Sequence, residues 1–307
     1  MLSILMASYN GEKYIAEQIE SVMQQTEQDF VLYINDDCST DNTYHIASQY
    51  AQKRPDKIIL TQNAKNTGNP KFNFIQMMIR RRDNYLMCCD QDDIWLPEKI
   101  ATALAKMRDM EKKYGEATPL LVHTDLTVVD ESLQLIAPSF KTMIGTAEIH
   151  ELRELLLQNN VTGCTVIYNR ALAEYLTRQP SDFVMHDWWL ALVAMCFGKT
   201  GYIGEPMILY RQHSNNMMGA QNVKQLQSKF DRLSQPGKIH DNLYEFYRQC
   251  GSFLDTYNTL LSDEQRDLFS VVSQLPEKRK AQRIITFYRM RLFRKGFLRK
   301  ASQILLG

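Results

Sequence analysis

Long apolar runs are missing from this sequence of 307 residues. The longest one, WWLALVAMCF at positions 188–197, has ten residues, whereas a helix needs about 20 apolar residues to cross a bilayer. The opening segment MLSILMASYN also lacks the basic region, the apolar region and the cleavage site of a secretory signal. We therefore expect a protein that stays in the cytoplasm and does not span the membrane.

Cysteine is scarce and follows no metal-binding pattern. The six cysteines include no Cys-x-x-Cys pair, and no histidine lies close enough in sequence to suggest a zinc site. We expect most of them to be small buried side chains in a reducing compartment.

The chain as a whole has no large excess of either charge sign, because its net charge is +1. The charges are, however, unevenly distributed along the sequence. Residues 278–300 contain ten Lys or Arg residues and no acid. The rest of the chain contains 26 basic and 35 acidic residues. An acidic body and a basic tail should therefore contact different partners.

What is present is an alternation of short apolar runs with amphipathic helical segments. The runs have the form of parallel strands covered on both faces, and they lie at 3–7, 31–34, 57–60, 85–89 and 120–123. Between the first two runs, apolar residues recur on one helical face, at Ile15, Ile19, Val22 and Met23. This rhythm predicts a doubly wound α/β domain with a mostly parallel sheet. Such sheets bind ligands at the carboxyl ends of their strands.

The remainder of the chain gives weaker signals. Segments 151–158 and 188–197 have the pattern of helices, and segment 161–168 has that of a strand. After residue 221 we expect helices, with breaks at Pro236 and Pro276.

Two acidic clusters directly follow predicted strands. Asp36 and Asp37 come after the second run, and Asp90, Asp92 and Asp93 come after the fourth. Such acids often only form turns, but crowded carboxylates raise one another's pKa unless a cation or a hydrogen-bond donor lies between them. A divalent ion bound by one or two carboxylates and by substrate phosphates satisfies this requirement. The clusters therefore predict Mg²⁺ or Mn²⁺ bound together with a diphosphate.

Six segments in order resemble the inverting glycosyltransferases of family 2, which have the GT-A fold: ASYNGEKYIAEQIESVMQQT, NDDCSTDNT, NTGNPKFNF, DQDDIWLPEK, MHDWW and YRQHSNN. Each segment alone is weak, but the ordered set is specific and covers residues 2–220. The wording of DQDDIWLPEK, HTDLTVVD, MHDWWLAL and LYRQHSNN is most similar to bacterial rhamnosyltransferases that use dTDP-rhamnose for cell-wall or capsular polysaccharide. The resemblance implies a GT-A type α/β fold with a C-terminal helical extension.

The resemblance also implies a nucleotide-sugar site. Asp36 matches the acid that contacts the base, and Asp90 matches the acid that faces the ribose, while Cys38 stands where the family commonly has glycine. The full donor-side set comprises Ala7, Tyr9, Asn10, Asp36, Asp37, Asn66, Asn73, Asp90, Asp93 and Arg211. The alternatives are that Tyr9 packs the turn and that the asparagines only favour loops.

The remaining roles that the resemblance implies are metal binding, proton transfer and acceptor contact. Asp92 and His213 match the metal ligands, and Asp187 matches the general base. Asp187 precedes a predicted helix, where it could also be an N-cap, and a helix start favours the ionised form that accepts a proton. The candidate acceptor-side residues are Asp125, Thr162, Gly163, His186, Trp188 and Trp189.

The basic tail has apolar residues at helical spacing, namely Ile285, Tyr288, Leu292, Phe293 and Phe297. A basic amphipathic helix of this kind is typical of a membrane-surface anchor. The alternatives are a helix that packs on the acidic body and a contact in a homodimer. Nucleic-acid binding is not expected, because no recognition motif accompanies the charge.

Together these features and the resemblance predict a metal-dependent inverting glycosyltransferase. Residues 1–130 should bind the nucleotide sugar, residues 131–220 the acceptor, and residues 221–307 should form a helical region with the membrane-associating tail. We expect transfer of L-rhamnose from dTDP-rhamnose to a lipid-linked glycan at the inner face of the cell membrane. One alternative donor is a UDP-hexose or UDP-N-acetylhexosamine. A protein of another class, a non-catalytic nucleotide-sugar-binding scaffold subunit, is the second alternative.

Overall fold

The computed structural model describes residues 1–145, 149–213 and 236–306. They divide into two compact units. The first comprises Met1–Met143, Val161–Gln179 and Phe197–His213, and the second comprises Ile144–Asn160, Pro180–Cys196 and the described residues of the C-terminal region. Residues 144–160 and 180–196, assigned from the sequence to the acceptor side, thus belong to the same unit as the C-terminal helices. The predicted boundary at residue 220 lies outside the described residues.

The first unit is built on one sheet, whose described strands are β1 Leu2–Ser8, β2 Phe30–Asp36, β3 Ile58–Gln62, β4 Tyr85–Cys89, β5 Ile94–Trp95, β6 Leu120–Val129, β7 Leu135–Ala137, β8 Val166–Asn169 and β9 Lys199–Arg211. Their order is β3-β2-β1-β4-β8-β6-β9-β5, with β7 paired to β6. The strands β3, β2, β1 and β4 pair in parallel, as the continuous apolar runs predict.

The second half of this sheet departs from the predicted parallel arrangement. β8 lies between β4 and β6 and is antiparallel to both. Residues 163–165, which we predicted as part of a strand, form a 3₁₀ turn instead. Among the described strands, β6 is parallel to β9 alone. The fifth predicted strand, at 120–123, is part of β6. It does not extend the parallel series because the antiparallel strand β8 separates it from β4.

Helices cover the strands and form most of the second unit. Their bounds are α1 Ile15–Met23, α2 Thr43–Lys53, α3 Pro70–Ile79, α4 Lys99–Tyr114, α5 Phe140–Ile144, α6 Leu152–Leu155, α7 Arg170–Ala173, α8 His186–Phe197, α9 Pro236–Tyr257, α10 Asp263–Ser273, α11 Lys280–Met290 and α12 Phe297–Leu306. Capping side chains define the first residues of two of these helices. Asn69 accepts a hydrogen bond from the Lys71 amide before Pro70, and Ser262 forms a capping box with Gln265.

Each unit has its own apolar core. In the first unit, β1, β2 and β4 bury Ile4, Met6, Ile34 and Met87 among the packed helices. In the second unit the core is aromatic, because Trp189 packs on Phe253 with ring centroids 5.0 Å apart. Phe253 in turn stacks on Phe269 at 4.6 Å. Aromatic pairs at such distances add to the free energy gained from burial alone.

The basic tail forms two helices rather than the single one that its apolar spacing suggests. α11 ends at Met290 because Arg291 adopts a left-handed conformation, with φ of 53°. Phe287 and Leu292 are fully buried, whereas Ile285 and Tyr288 are 64% and 59% exposed. The tail therefore contributes to the core of the second unit and also presents apolar side chains at the surface. None of the described helices combines the length and the apolar character needed to cross a bilayer.

Candidate active site

The two acidic clusters lie at one edge of the sheet, as their positions after parallel strands predict. β1 lies between β2 and β4, and it aligns Ser8 with Asp36 and Met6 with Cys89. The turn that follows β1 is therefore flanked by the acids after β2 and by the acids after β4. This edge is where ligands bind to doubly wound sheets.

Asp36 and Asp37 organise the side of this edge next to β2. Asp36 is fully buried and accepts hydrogen bonds from the Ser8 and Ser39 hydroxyls, the Ser39 amide and the Gln62 side chain. Asp37 accepts hydrogen bonds from Asn63 and from both the amide and the hydroxyl of Thr67. These two acids consequently hold three chain segments together around the predicted base site.

Cys38 shows why glycine is favoured at its position. Its φ is 61°, in the left-handed region that a side chain rarely adopts. The Cys38 thiol donates to the Asn63 carbonyl at 2.9 Å. The departure from the family pattern therefore leaves the turn in the conformation that a glycine would give.

The other predicted donor-side residues occupy different environments. Ala7 is buried in β1, and Tyr9 after it is 47% exposed. Asn10 binds Ser39 and Thr40 across the edge. Asn66 donates to the Asp37 carbonyl. Asn73 is buried and exchanges hydrogen bonds with Asn35, so its polar groups are used inside the protein.

Asp93 lies at the bottom of the acidic loop after β4. It is fully buried, and its Oδ1 accepts a hydrogen bond from the Arg211 amide at 3.2 Å. Its Oδ2 has no hydrogen-bond partner among the described residues. Burial, followed by the negative charges of Asp92 and Asp90, raises the pKa of Asp93 well above its usual range.

Sequence reasoning missed two residues beneath this loop, Cys164 and Lys99. The Cys164 thiol lies within 4.8 Å of carboxylate oxygens of Asp90 and Asp93. The Lys99 ammonium is buried over the Trp95 ring at 4.0 Å and has no hydrogen-bond partner among the described residues. Burial lowers the pKa of Lys99 to about 8. The one sequence signal for Lys99 is its position six residues after Asp93, just past a predicted helix start, which could have suggested that it lies close to the acidic loop.

Asp92 and His213, the two residues that match the family's metal ligands, lie next to each other. His213 Nε2 and Asp92 Oδ2 are 2.9 Å apart, and the imidazole stacks on Tyr14 at 4.7 Å. Arg211, predicted to face the diphosphate, has a buried guanidinium that donates to the carbonyls of Asp92 and Glu131 and to the Glu17 carboxylate. Arg211 therefore fixes the acidic loop against neighbouring segments.

These residues fit a hard divalent cation at Asp92 and His213 better than at Cys164. Two ligand atoms bound about 2.1 Å from one octahedral ion lie about 3 Å apart, the separation that Asp92 and His213 already have. The group of Asp90, Asp93 and Cys164 contains a soft thiol, and Lys99 contributes positive charge near it. Asp92 and His213 would therefore hold Mg²⁺ or Mn²⁺.

Asp187 lies in the second unit, in the first turn of α8 rather than before the helix. Asp187 is 8% exposed, and its carboxylate accepts hydrogen bonds from the Trp188 amide at 2.6 Å and from Asn159 at 3.3 Å. These two donors orient the carboxylate in the first turn of the helix.

The predicted acceptor-side residues are mostly buried. Trp188 and Trp189 belong to the aromatic core of the second unit, where Trp188 donates to the Leu155 carbonyl and packs on Phe246. His186 is also buried. In the first unit, Asp125 binds Ser139, and Thr162 precedes Gly163 at the 3₁₀ turn. Of these six residues Thr162 is partly exposed, and the other five are buried.

Comparison with known proteins finds similarity to glycosyltransferases. Residues 3–176 match the family model described as glycosyl transferase family 2. A dTDP-rhamnosyl transferase, RfbG, of Shigella flexneri is 30% identical over 74% of this chain and 78% of its own length. A putative teichuronic acid biosynthesis glycosyltransferase, TuaG, of Bacillus subtilis is 26% identical over 71% of this chain and 81% of its own length.

Solved structures share the fold at low sequence identity. Residues 1–349 of S. aureus TarS in complex with UDP-GlcNAc match with a TM-score of 0.55 and 17% identity, over 95% of this chain and 92% of that one. A mannosyltransferase of Pyrobaculum calidifontis in complex with GDP-Man and Mn²⁺ matches with a TM-score of 0.52 and 13% identity, over 99% and 82% of the two chains. The α/β fold is thus of the GT-A type, as predicted. The chain belongs to glycosyltransferase family 2.

Proposed function

We propose that this glycosyltransferase moves L-rhamnose from dTDP-rhamnose to a hydroxyl group of a lipid-linked glycan in bacterial surface polysaccharide synthesis. The observation that carries the family activity is the position of the two acidic clusters at the carboxyl ends of β2 and β4, on either side of β1. The choice of rhamnose is supported by the similarity to the dTDP-rhamnosyl transferase over most of both chains.

In the proposed reaction the donor lies along the edge formed by the turns after β1, β2 and β4. Asp36 is fully buried and bonded to Ser8, Ser39 and Gln62, so it supports the base side of the site rather than contacting the base itself. Asp90 contacts the ribose. Asp92 and His213 hold the divalent cation, which when bound neutralises negative charge on the leaving diphosphate. Arg211 keeps the acidic loop in position through its contact with the Asp92 carbonyl.

Asp187 is the proposed general base. It takes the proton from the acceptor hydroxyl as that oxygen attacks the anomeric carbon from the face opposite the diphosphate. The displacement is single, so the configuration at the anomeric carbon inverts. A β-linked dTDP-L-rhamnose would give an α-L-rhamnoside.

The proposal includes association with the inner face of the cell membrane through the basic tail. It is supported by the exposed side chains of Ile285 and Tyr288 on α11, in a segment that is rich in Lys and Arg and free of acids. Apolar side chains between cations suit the interface of an anionic bilayer.

The first experiment is calorimetric titration of dTDP, UDP and GDP into the protein, each with Mn²⁺ and again with EDTA. We expect dTDP to bind most tightly and EDTA to weaken binding by about tenfold or more, because the diphosphate charge then lacks its cation. A preference for UDP would keep the enzyme and change the sugar. No nucleotide binding under any condition would contradict the donor site.

The variant Asp187→Asn distinguishes a catalytic protein from the alternative of a non-catalytic scaffold subunit. The amide keeps the size of the carboxylate but cannot accept a proton, so we expect turnover to fall by roughly 100-fold to 10,000-fold while the affinity for dTDP stays unchanged. Asp56→Asn, at an exposed ion pair with Arg54, is the control. Equal turnover of Asp187→Asn and the wild type would contradict the assignment of the base.

A further inference from the structure

A side chain in the middle of the acidic loop is bonded to the turn after β1. Gln91, between Asp90 and Asp92, accepts a hydrogen bond from the Tyr9 amide through Oε1 at 2.9 Å, and its Nε2 donates to the Tyr9 carbonyl at 2.9 Å. One amide side chain thus pairs with both backbone polar groups of one residue, 82 positions away in sequence. We call this pair of hydrogen bonds the Gln91–Tyr9 clamp.

The clamp needs a glycine beneath it. A Cβ atom on Gly11 would lie 2.3 Å from both Cδ and Oε1 of Gln91, and 2.7 Å from its Nε2. These three atoms are the nearest that such a Cβ would meet. The φ of Gly11 is not in the left-handed region, so the space taken by Gln91, and not backbone conformation, is what requires glycine here.

The clamp lies where the strand order reverses. From β1 the chain adds β2 and then β3 on one side, and β4 on the other. The crevice outside the carboxyl ends at such a switch point is the usual ligand site of doubly wound sheets. The same turn also binds the segment after β2, since the Asn10 amide donates to Ser39 and the Gly11 amide donates to Thr43.

We infer that Gln91 is a positioning residue for the donor, because it holds the turn of Tyr9 at a fixed distance from the carboxylates of Asp90 and Asp92. The inference rests on the proposed function, in which Tyr9 lies on the base side and Asp92 on the diphosphate side. A donor that spans both sides binds tightly only when the two are already fixed relative to one another. Gln91 itself does not take part in the chemical step.

Substitution of either member of the contact tests this inference. Gly11→Ala pushes the Gln91 side chain aside, and Gln91→Ala removes it. For each variant we expect the Kd of dTDP with Mn²⁺ and the KM of the donor to rise by about tenfold, the scale of two exposed neutral hydrogen bonds. Turnover at saturating donor should stay within about twofold, since the interaction concerns binding and not the transition state alone.

The double variant provides the decisive comparison. The three atoms nearest to a Cβ on Gly11 all belong to Gln91 and are absent once Gln91 is alanine, so Gly11→Ala combined with Gln91→Ala should equal either single variant rather than multiply their effects. Gly204→Ala is the matched control, because its Cβ would make only an ordinary contact of 3.7 Å with Tyr202.

Two outcomes would overturn the inference: wild-type affinity in either single variant, or independent effects that multiply in the double variant. If dTDP binds poorly to the wild type, the comparison is made with whichever of UDP or GDP binds. A wild-type protein that binds none of them contradicts the proposed function, and the role of Gln91 with it. Binding to the wild type with unchanged binding to Gly11→Ala contradicts only the role of Gln91.

Discussion

Burial sets the proton affinity of His186, next to the proposed base. The residue is 3% exposed, and burial lowers its pKa from 6.5 to about 3. Between pH 6.5 and about pH 3 the unfolded chain binds a proton at His186 that the folded protein does not bind. The free energy of unfolding must therefore fall as the pH falls through this range. From pH 6.5 to pH 5 the loss from this residue should be about 2 kcal/mol.

Urea unfolding at pH 6.5 and pH 5 measures this effect. The variant His186→Gln should lose the extra acid sensitivity, since glutamine does not take up a proton in this range. His45→Gln, at an exposed position on α2, is the control and should keep the wild-type dependence. An identical fall in stability for the wild type and His186→Gln would show that His186 is not buried in its neutral form.

At the scale of elements, one carboxylate connects the end of β2 to the segment that leads into α3. Asp37 accepts hydrogen bonds from Asn63 and from Thr67, and Asn66 in the same segment donates to the Asp37 carbonyl. This segment has no regular secondary structure before Pro70, so these contacts replace the backbone pairing that a strand or helix would supply.

Asp37→Asn should release that segment. The amide nitrogen of the new side chain would face a donor, Thr67 or Asn63, at a cost of about 1 to 3 kcal/mol. Hydrogen exchange of the Thr67 amide should then become at least about tenfold faster, while exchange in the core of α3 stays unchanged. Asp56→Asn serves as the exposed control. Unaltered exchange at Thr67 would mean that Asp37 does not anchor the segment.

At the scale of the whole molecule, the charge asymmetry leads to a test of membrane binding. The protein should sediment with vesicles that contain phosphatidylglycerol and not with pure phosphatidylcholine, and added salt should release it. Ile285→Ser and Tyr288→Ser should each weaken vesicle binding by about tenfold, because each removes an apolar side chain from the bilayer interface.

Leu260→Ser is the matched control for this test, since Leu260 is 59% exposed, like Tyr288, but lies outside the basic tail. Equal sedimentation with both vesicle types, or equal effects of Leu260→Ser and Ile285→Ser, would contradict the membrane contact. Loss of a dimer in the Ile285→Ser variant, measured by analytical ultracentrifugation without lipid, would instead favour the homodimer.

Features that depend on neighbouring residues along the chain follow from the amino-acid sequence alone. Apolar runs give the parallel strands β1 to β4 because strand pairing buries both of their faces. The two acidic clusters lie at one edge of the sheet because they directly follow β2 and β4, and parallel strands end at the same edge. Asp92 could be assigned by its motif, and the structure brings it to His213, 121 positions later.

Contacts between side chains that are distant in sequence depend instead on how the strands and helices pack. Because β8 enters between β4 and β6, Cys164 lies beside Asp93, and no local pattern indicates that insertion. In the same way Gln91 reaches Tyr9, the Arg211 guanidinium contacts Glu17, and Trp188 and Trp189 pack in an aromatic core. The strand neighbours and the packed helices set these contacts, and a pattern read along the chain contains only the order of residues, not their neighbours in space.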